Sequence, residues 1–319
     1  GLLSHLSLVR IQYALYNQIM KNLLAIFLVL FSTYGSSEPV EIKYNLITLN
    51  GFYSSQSEKS KSIAIILHGT RGHQNLELIT SLRDSLLDNG VDSLTINLSY
   101  GINNRVNDFL PCDIEHKHKQ SNSQSEIKLW YEYIKKIGYE KIYLIGHSRG
   151  GLDIINFYEN INFKYQKSID SIFLLAPISE TWKSSVDRYK EDYNININDL
   201  VHQETKKLKI NFLGCEDATV YSDSFLDYYL IGSESRFFNS EATRFSGSGL
   251  NLHLLNTSGK VYVITASEDT VVSNTHMIVK DIIIRNKKNI KLYQVDGADH
   301  FFRDFYFDDL MQIIIERVD

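Results

Sequence analysis

The chain has 319 residues, 43% hydrophobic and 22% charged, with a formal net charge of −5 and no block of like charges. That is ordinary globular composition, and it offers no electrostatic footprint for nucleic acid. Two cysteines, Cys112 and Cys215, are too few for a disulfide scaffold. An exported chain can pair them, but nothing in the sequence brings them together, and two free thiols are the expected state.

The first element is a leader. From Met20, the stretch MKNLLAIFLVLFSTYGSSEPV sets a positive Lys21 before an apolar run, Leu23 to Phe31, and then small residues up to Ser37. This is the layout of a secretory signal peptide, and the apolar run is too short to span a bilayer. We therefore expect an upstream extension at 1–19, a signal at 20–37 and a mature domain at 38–319. The expected location is outside the cytoplasm, periplasmic or secreted, with no stable membrane span after cleavage. An amphipathic helix or an uncleaved anchor is the competing reading of the same residues.

Downstream, EIKYNLITLNG alternates strictly and suits an antiparallel edge hairpin. Six short apolar runs follow: SIAIILH (62–68), DSLTINL (92–98), KIYLIG (141–146), SIFLLA (171–176), VYVITA (261–266) and IKLYQV (290–295). Near-continuous runs of this length suit strands covered on both faces, as in parallel sheets. Helix-period segments lie between them. In NLELITSLRDSLLDNG, Leu76, Ile79, Leu82 and Leu86 form one stripe that Asn89-Gly90 closes. SEIKLWYEYIKKIG (125–138), MIVKDIIIRN (277–286) and DFYFDDLMQIIIERV (304–318) have the same period. The alternation predicts an α/β fold, a mostly parallel central sheet flanked by helices.

One stretch breaks the rhythm. Between the strand ending near 176 and the one starting near 261, residues from about 180 to 258 carry many aromatics, among them Trp182, Tyr189, Phe225, Tyr228 and Phe245, and a hinge-like SGSG at 246–249. A lid insertion made mainly of helices is the expectation, since loops this long usually cover or bind something.

The segment IYLIGHSRGGLDIINF (142–157) carries the chemistry. A buried strand stops at Gly146, turns over His147-Ser148-Arg149, and restarts at Gly150 with helical period. A serine there stands at the carboxyl edge of the sheet, where open α/β folds bind ligands. The turn is so tight that residues two before and two after the serine have no room for side chains, a demand that Gly146 and Gly150 meet. The helix start also aims N–H groups and positive dipole at the serine. A phosphate-cradling loop does not fit, because the Lys-[Ser/Thr] ending is missing.

These residues resemble the α/β-hydrolase superfamily, over nearly all of the chain after the leader. The resemblance implies the order nucleophile, acid, histidine at successive strand ends. GHSRGG supplies Ser148, VYVITASEDTVVS is similar to the acid segment and maps to Asp269, and YQVDGADHFF is similar to the histidine loop and maps to His300. IILHGTRG looks like the family's His-Gly turn, so the resemblance assigns the two oxyanion N–H donors to Thr70 and Arg149. It implies a serine hydrolase, a carboxylic-ester hydrolase before others, taking a small acyl ester and needing no cofactor and no metal. A thioesterase, amidase or acyltransferase would use the same triad, and a silent fold used for binding is the reading from another class.

Other residues compete for these roles. Glu268 adjoins Asp269, and Glu180 follows the preceding strand; His253, His276, His68 and His147 are alternative imidazoles, read here as lid, surface or loop-shaping residues. Asp113, Glu115, His116 and His118 have metal-like density, but we expect a solvated charged stretch, since no fourth clearly spaced ligand appears.

Overall fold

The computed structural model describes residues 36–56, 60–179, 182–200, 204–228, 250, 254, 257–284 and 288–318. The leader up to residue 35, Glu180, His253 and the SGSG segment lie outside them, and Ser36 and Ser37 open the first strand. The chain opens with a hairpin, β1 (Ser36–Tyr44) and β2 (Ile47–Ser55), paired antiparallel. There follow β3 (Ser62–Leu67), α1 (Glu77–Asp88), β4 (Asp92–Ile96), β5 (Glu115–His116), α2 (Gln120–Lys136), β6 (Lys141–His147) and α3 (Arg149–Asn160). A short α4 (Phe163–Gln166) leads to β7 (Ile169–Leu175). After the insertion come β10 (Val261–Ala266), α8 (Thr275–Ile284), β11 (Ile290–Val295) and α9 (Phe305–Ile315).

The main sheet has eight strands in the order β1-β2-β4-β3-β6-β7-β10-β11. β2 meets β4 antiparallel, and every pairing from β4 to β11 is parallel. All six apolar runs of the sequence are strands of this sheet, and the edge hairpin is where the alternation put it.

Strand residues alternate between two cores. Ile63, Ile65, Leu144 and Leu174 face Ile127, Trp130, Leu152 and Val279 on one side. Ala64, Ile66, Ile145 and Phe173 face Leu82, Leu86, Leu310 and Ile314 on the other. Period-two side chains buried on both faces are why these strands read as unbroken apolar runs. Of the expected α1 stripe, Ile79, Leu82 and Leu86 are buried, while Leu76 stands half-buried just before the helix and Leu78 completes the buried face.

The insertion holds a β-hairpin among its helices, which the sequence did not lead us to expect. Its described part holds α5 (Trp182–Tyr193), α6 (Ile197–Leu200), a β-hairpin of β8 (Lys207–Phe212) and β9 (Cys215–Tyr221), and α7 (Ser222–Leu226). β9 also takes β5 as a parallel neighbour, giving a second, three-stranded sheet. The cause is local: Leu208, Ile210 and Phe212 alternate inward, and Leu213 and Gly214 supply the two positive φ angles, 53° and 77°, of a two-residue hairpin turn. A small core of Tyr189, Ile197, Phe212, Val220 and Phe225 lies beneath it.

The cysteines also differ from the expectation of free thiols. Cys112 and Cys215 are joined by a disulfide, with Cα atoms 5.3 Å apart across 103 residues of sequence. Cys112 lies just before β5 and Cys215 opens β9, so the pairing of β5 with β9 brings the sulfurs together.

Candidate active site

Ser148 sits between β6 and α3 with φ 55° and ψ −121°. A non-glycine residue held there costs about 1–3 kcal/mol, so the surroundings must impose it. They do so from both sides. The Ser148 N–H donates to the Leu175 carbonyl (2.8 Å), and the Ser148 carbonyl accepts from Gly151 (3.0 Å) and Ile178 (3.2 Å). The flanking glycines are required by backbone contact. A Cβ on Gly146 would stand 2.4 Å from the Gly150 carbonyl oxygen, and one on Gly150 would stand 2.3 Å from that of His68. Gly146 lets β6 meet the first turn of α3, and Gly150 lets that turn meet the end of β3, so a side chain at either position would force these elements apart.

Asp269 and His300 arrive from the ends of β10 and β11. The His300 Nδ1–H donates to Asp269 Oδ2 at 2.7 Å, with both side chains buried. The other carboxylate oxygen accepts the N–H groups of Val271 (2.7 Å) and Val272 (2.9 Å). Both oxygens of Asp269 are thus engaged, and the bond to Nδ1 leaves Nε2 as the basic nitrogen of the His300 ring. Glu268 faces solvent, so of the adjacent acids it is Asp269 that meets the imidazole. His147, the residue before the serine, donates Nε2–H to the His300 carbonyl at 2.9 Å, and the two rings lie 4.8 Å apart. Burial, with the neighbouring His300, holds the His147 pKa down at about 4, so this ring is a neutral spacer that ties the serine turn to the histidine loop.

The His-Gly turn closes the third side. Gly69 to Gly72 form a turn, with Gly72 N–H on the Gly69 carbonyl (3.1 Å) and Arg71 at φ 56°. A Cβ on Gly69 would lie 3.1 Å from Ser148 Cβ, so Thr70 stands on the turn that abuts the serine. Arg149 opens α3, at the positive end of that helix. Burial, followed by the charge of Arg105, pushes His68 down to about 3; its Nε2 accepts from Leu98 N–H (3.4 Å). His276 bonds Thr265 Oγ1 from α8, at 2.9 Å.

Arg105 has no signature in the sequence. Its buried guanidinium donates only to backbone carbonyls: Leu98 (3.0 Å), Arg71 (3.2 Å), Gly72 (2.6 Å) and Asp108 (2.6 Å). It stacks over Tyr100 at 5.1 Å, and the Tyr100 hydroxyl accepts the Arg71 N–H. Two of these carbonyls belong to the turn beside Ser148, so one cation clamps the loop that carries Thr70.

The stretch around His116 is not solvated throughout. Glu115 is exposed and pairs with Lys117 and Lys207, but His116 and His118 are buried side by side. Their Nδ1 and Nε2 atoms are 3.1 Å apart, and His118 Nδ1 reaches the Tyr228 hydroxyl at 2.9 Å. Burial lowers the pKa of both rings, that of His118 to about 3. Among the described residues no three His, Cys, Asp or Glu side chains converge as a metal site would require. Tyr228 also lies under the Arg149 guanidinium, 5.5 Å from ring centre to Cζ, so the insertion packs onto the residue after Ser148.

No family model matches the chain, and no curated protein matches it. Solved structures do. Est1E from Butyrivibrio proteoclasticus is 15% identical with a TM-score of 0.58, over 88% of this chain and 99% of that one. The Pyrococcus furiosus esterase Pf2001 is 14% identical with a TM-score of 0.54, over 88% and 91%. An alpha-beta serine hydrolase homologue from Coxiella burnetii is 13% identical with a TM-score of 0.52, over 88% and 97%. The chain has the α/β-hydrolase fold. Among the described residues no helix is long and apolar enough to cross a membrane.

Proposed function

We propose that this chain is an exported serine hydrolase that cleaves carboxylic esters through Ser148, His300 and Asp269. The observation that carries the reading is the buried 2.7 Å bond from His300 to Asp269, set beside a serine held at φ 55°. Carboxylate, imidazole and strained serine at the carboxyl ends of strands in one sheet are the parts of a proton-relay nucleophile. The fold's solved examples above are hydrolases and esterases by name, and one other structure has ferulic acid bound to Est1E.

His300 Nε2 takes the Ser148 proton as Oγ attacks the carbonyl carbon, and the carbonyl π pair moves onto oxygen. The N–H groups of Thr70 and Arg149 stabilise that oxyanion, one such donor being worth about 3–4 kcal/mol. Collapse expels the alkoxide, which takes the proton from Nε2 and leaves an acyl-Ser148 ester. Water then repeats the sequence and frees the acid. Asp269 holds the imidazole in the required tautomer and stabilises its charged form.

Export rests on the leader at 20–37 and is supported by the disulfide, which persists in oxidising compartments. Mass spectrometry of the native N-terminus should find a start near Glu38; retention of Lys21 to Phe31 sinks cleavage. A fluorophosphonate probe tests the activity. Labelling of Ser148 in the wild type, and none in His300→Ala, is expected. An unlabelled wild-type serine would mean a silent fold.

A further inference from the structure

A cavity of about 370 Å³ opens between the start of α1 and the loop after His300. Resting on the hydrolase reading above, we propose that it receives the alcohol half of the ester, and that this half is an uncharged aromatic group.

Its walls are phenylalanines: Phe109, Phe301, Phe302 and Phe307, with Leu76 beside them and His147 at the inner end. Phe109 and Phe301 are 55% and 41% exposed, so two large apolar rings flank the opening with much of their surface in water. Covering them with an apolar ligand recovers that hydration cost. The volume lies at the lower end of the range of about 300–1,000 Å³ for small-molecule sites, which suits one or two rings better than a long chain.

Charge narrows the class further. Glu77 and Asp304 stand at the wall, while the Arg303 guanidinium is committed to Asp299 at 2.8 Å and stacks over Phe301 at 4.7 Å. A ligand carboxylate would meet two carboxylates and a neutralised arginine, so the group that fits carries no negative charge.

Position assigns the cavity to the leaving group. The imidazole that removes the serine proton must deliver it to the departing oxygen, which places that oxygen beside His300. Phe301 meets His300 edge-on, with ring centres 5.1 Å apart, and His147 lies 4.8 Å from the same ring. Two residues that line the cavity are thus in contact with the proton donor.

The test compares acetate esters of methanol, benzyl alcohol and 2-naphthylmethanol. Ser81 lines the cavity from a half-buried position on α1, so Ser81→Trp fills it. The ratio of kcat/KM for naphthylmethyl to methyl acetate should fall at least about tenfold in Ser81→Trp. It should not move in Ser125→Trp, an exposed position on α2. Independently of turnover, 2-naphthylmethanol should bind the Ser148→Ala protein, read by calorimetry, and binding should be lost in Ser148→Ala/Ser81→Trp. Turnover with an unchanged ratio, or binding indifferent to Ser81→Trp, overturns the cavity assignment. So does a series in which Ser81→Trp alters preference among acyl chains and not among alcohols. No turnover of any ester with naphthylmethanol still bound overturns the hydrolase reading instead.

Discussion

Acid should destabilise this fold through three imidazoles that are buried without charge. His68 and His118 are held at about 3 and His147 at about 4, in each case chiefly because burial penalises the charged ring. Unfolded, each returns to 6.5. Between those limits the unfolded chain binds protons that the folded chain refuses, so stability is full above the unfolded value and falls as pH drops toward the folded one. From about pH 7.5 to about pH 5, one such group loses about 2 kcal/mol, and three lose about 6 kcal/mol together. Total stability of a domain is about 5–15 kcal/mol, so this loss is a large share of it. Burial raises the Glu126 carboxyl, which acts in the opposite sense and offsets part of the slope. Urea unfolding followed by tryptophan fluorescence at the two pH values measures the difference. His118→Gln should cut the proton uptake on unfolding at pH 5 by about one. A stability that is level across this range would refute the burial of neutral imidazoles here.

Ser148→Ala, His300→Ala and Asp269→Asn should each remove most ester turnover with the unfolding midpoint little changed, and the losses should be non-additive, as for one proton-transfer unit. Glu268→Gln should keep most activity in the same assay; the reverse pattern would move the acid by one residue. Gly150→Ala puts a methyl 2.3 Å from the His68 carbonyl oxygen, so it should cost about 1–3 kcal/mol or more in urea unfolding and lower kcat. Replacing Cys112 and Cys215 by Ala together should cost about 2–5 kcal/mol, read the same way against the oxidised protein.

Much of the main sheet was legible because its strands are covered on both faces: IYLIG (142–146) is apolar throughout since Ile142 and Leu144 enter one core and Tyr143 and Ile145 the other. The serine turn was legible because its glycines answer a backbone clash, which leaves no choice of residue. The β8–β9 hairpin was not. Its outward lysines, Lys207 and Lys209, make an exposed edge, and its turn begins with Leu213, a residue that carries no turn signal for a positive φ. The disulfide was hidden because its partners are brought together only by that hairpin. Arg105 was hidden for another reason: its partners are carbonyl oxygens, which every residue has, so no side-chain pattern marks them. Asp269 was separable from Glu268 only through the resemblance, since adjacent residues in a loop follow no period.

The bridge from Cys112 to Cys215 closes a covalent ring, and β6, the serine turn and α3 all lie inside it. Asp269 and His300 lie outside, beyond its second cysteine in the order in which the chain is made. Chains fold broadly from the N-terminus as they emerge. The ring that holds the nucleophile can therefore be sealed while the base and its carboxylate are still to come, and an unfinished chain carries a fenced serine with nothing to activate it. A cut anywhere within the ring leaves both pieces tethered through sulfur, so damage there would show on a gel only after reduction.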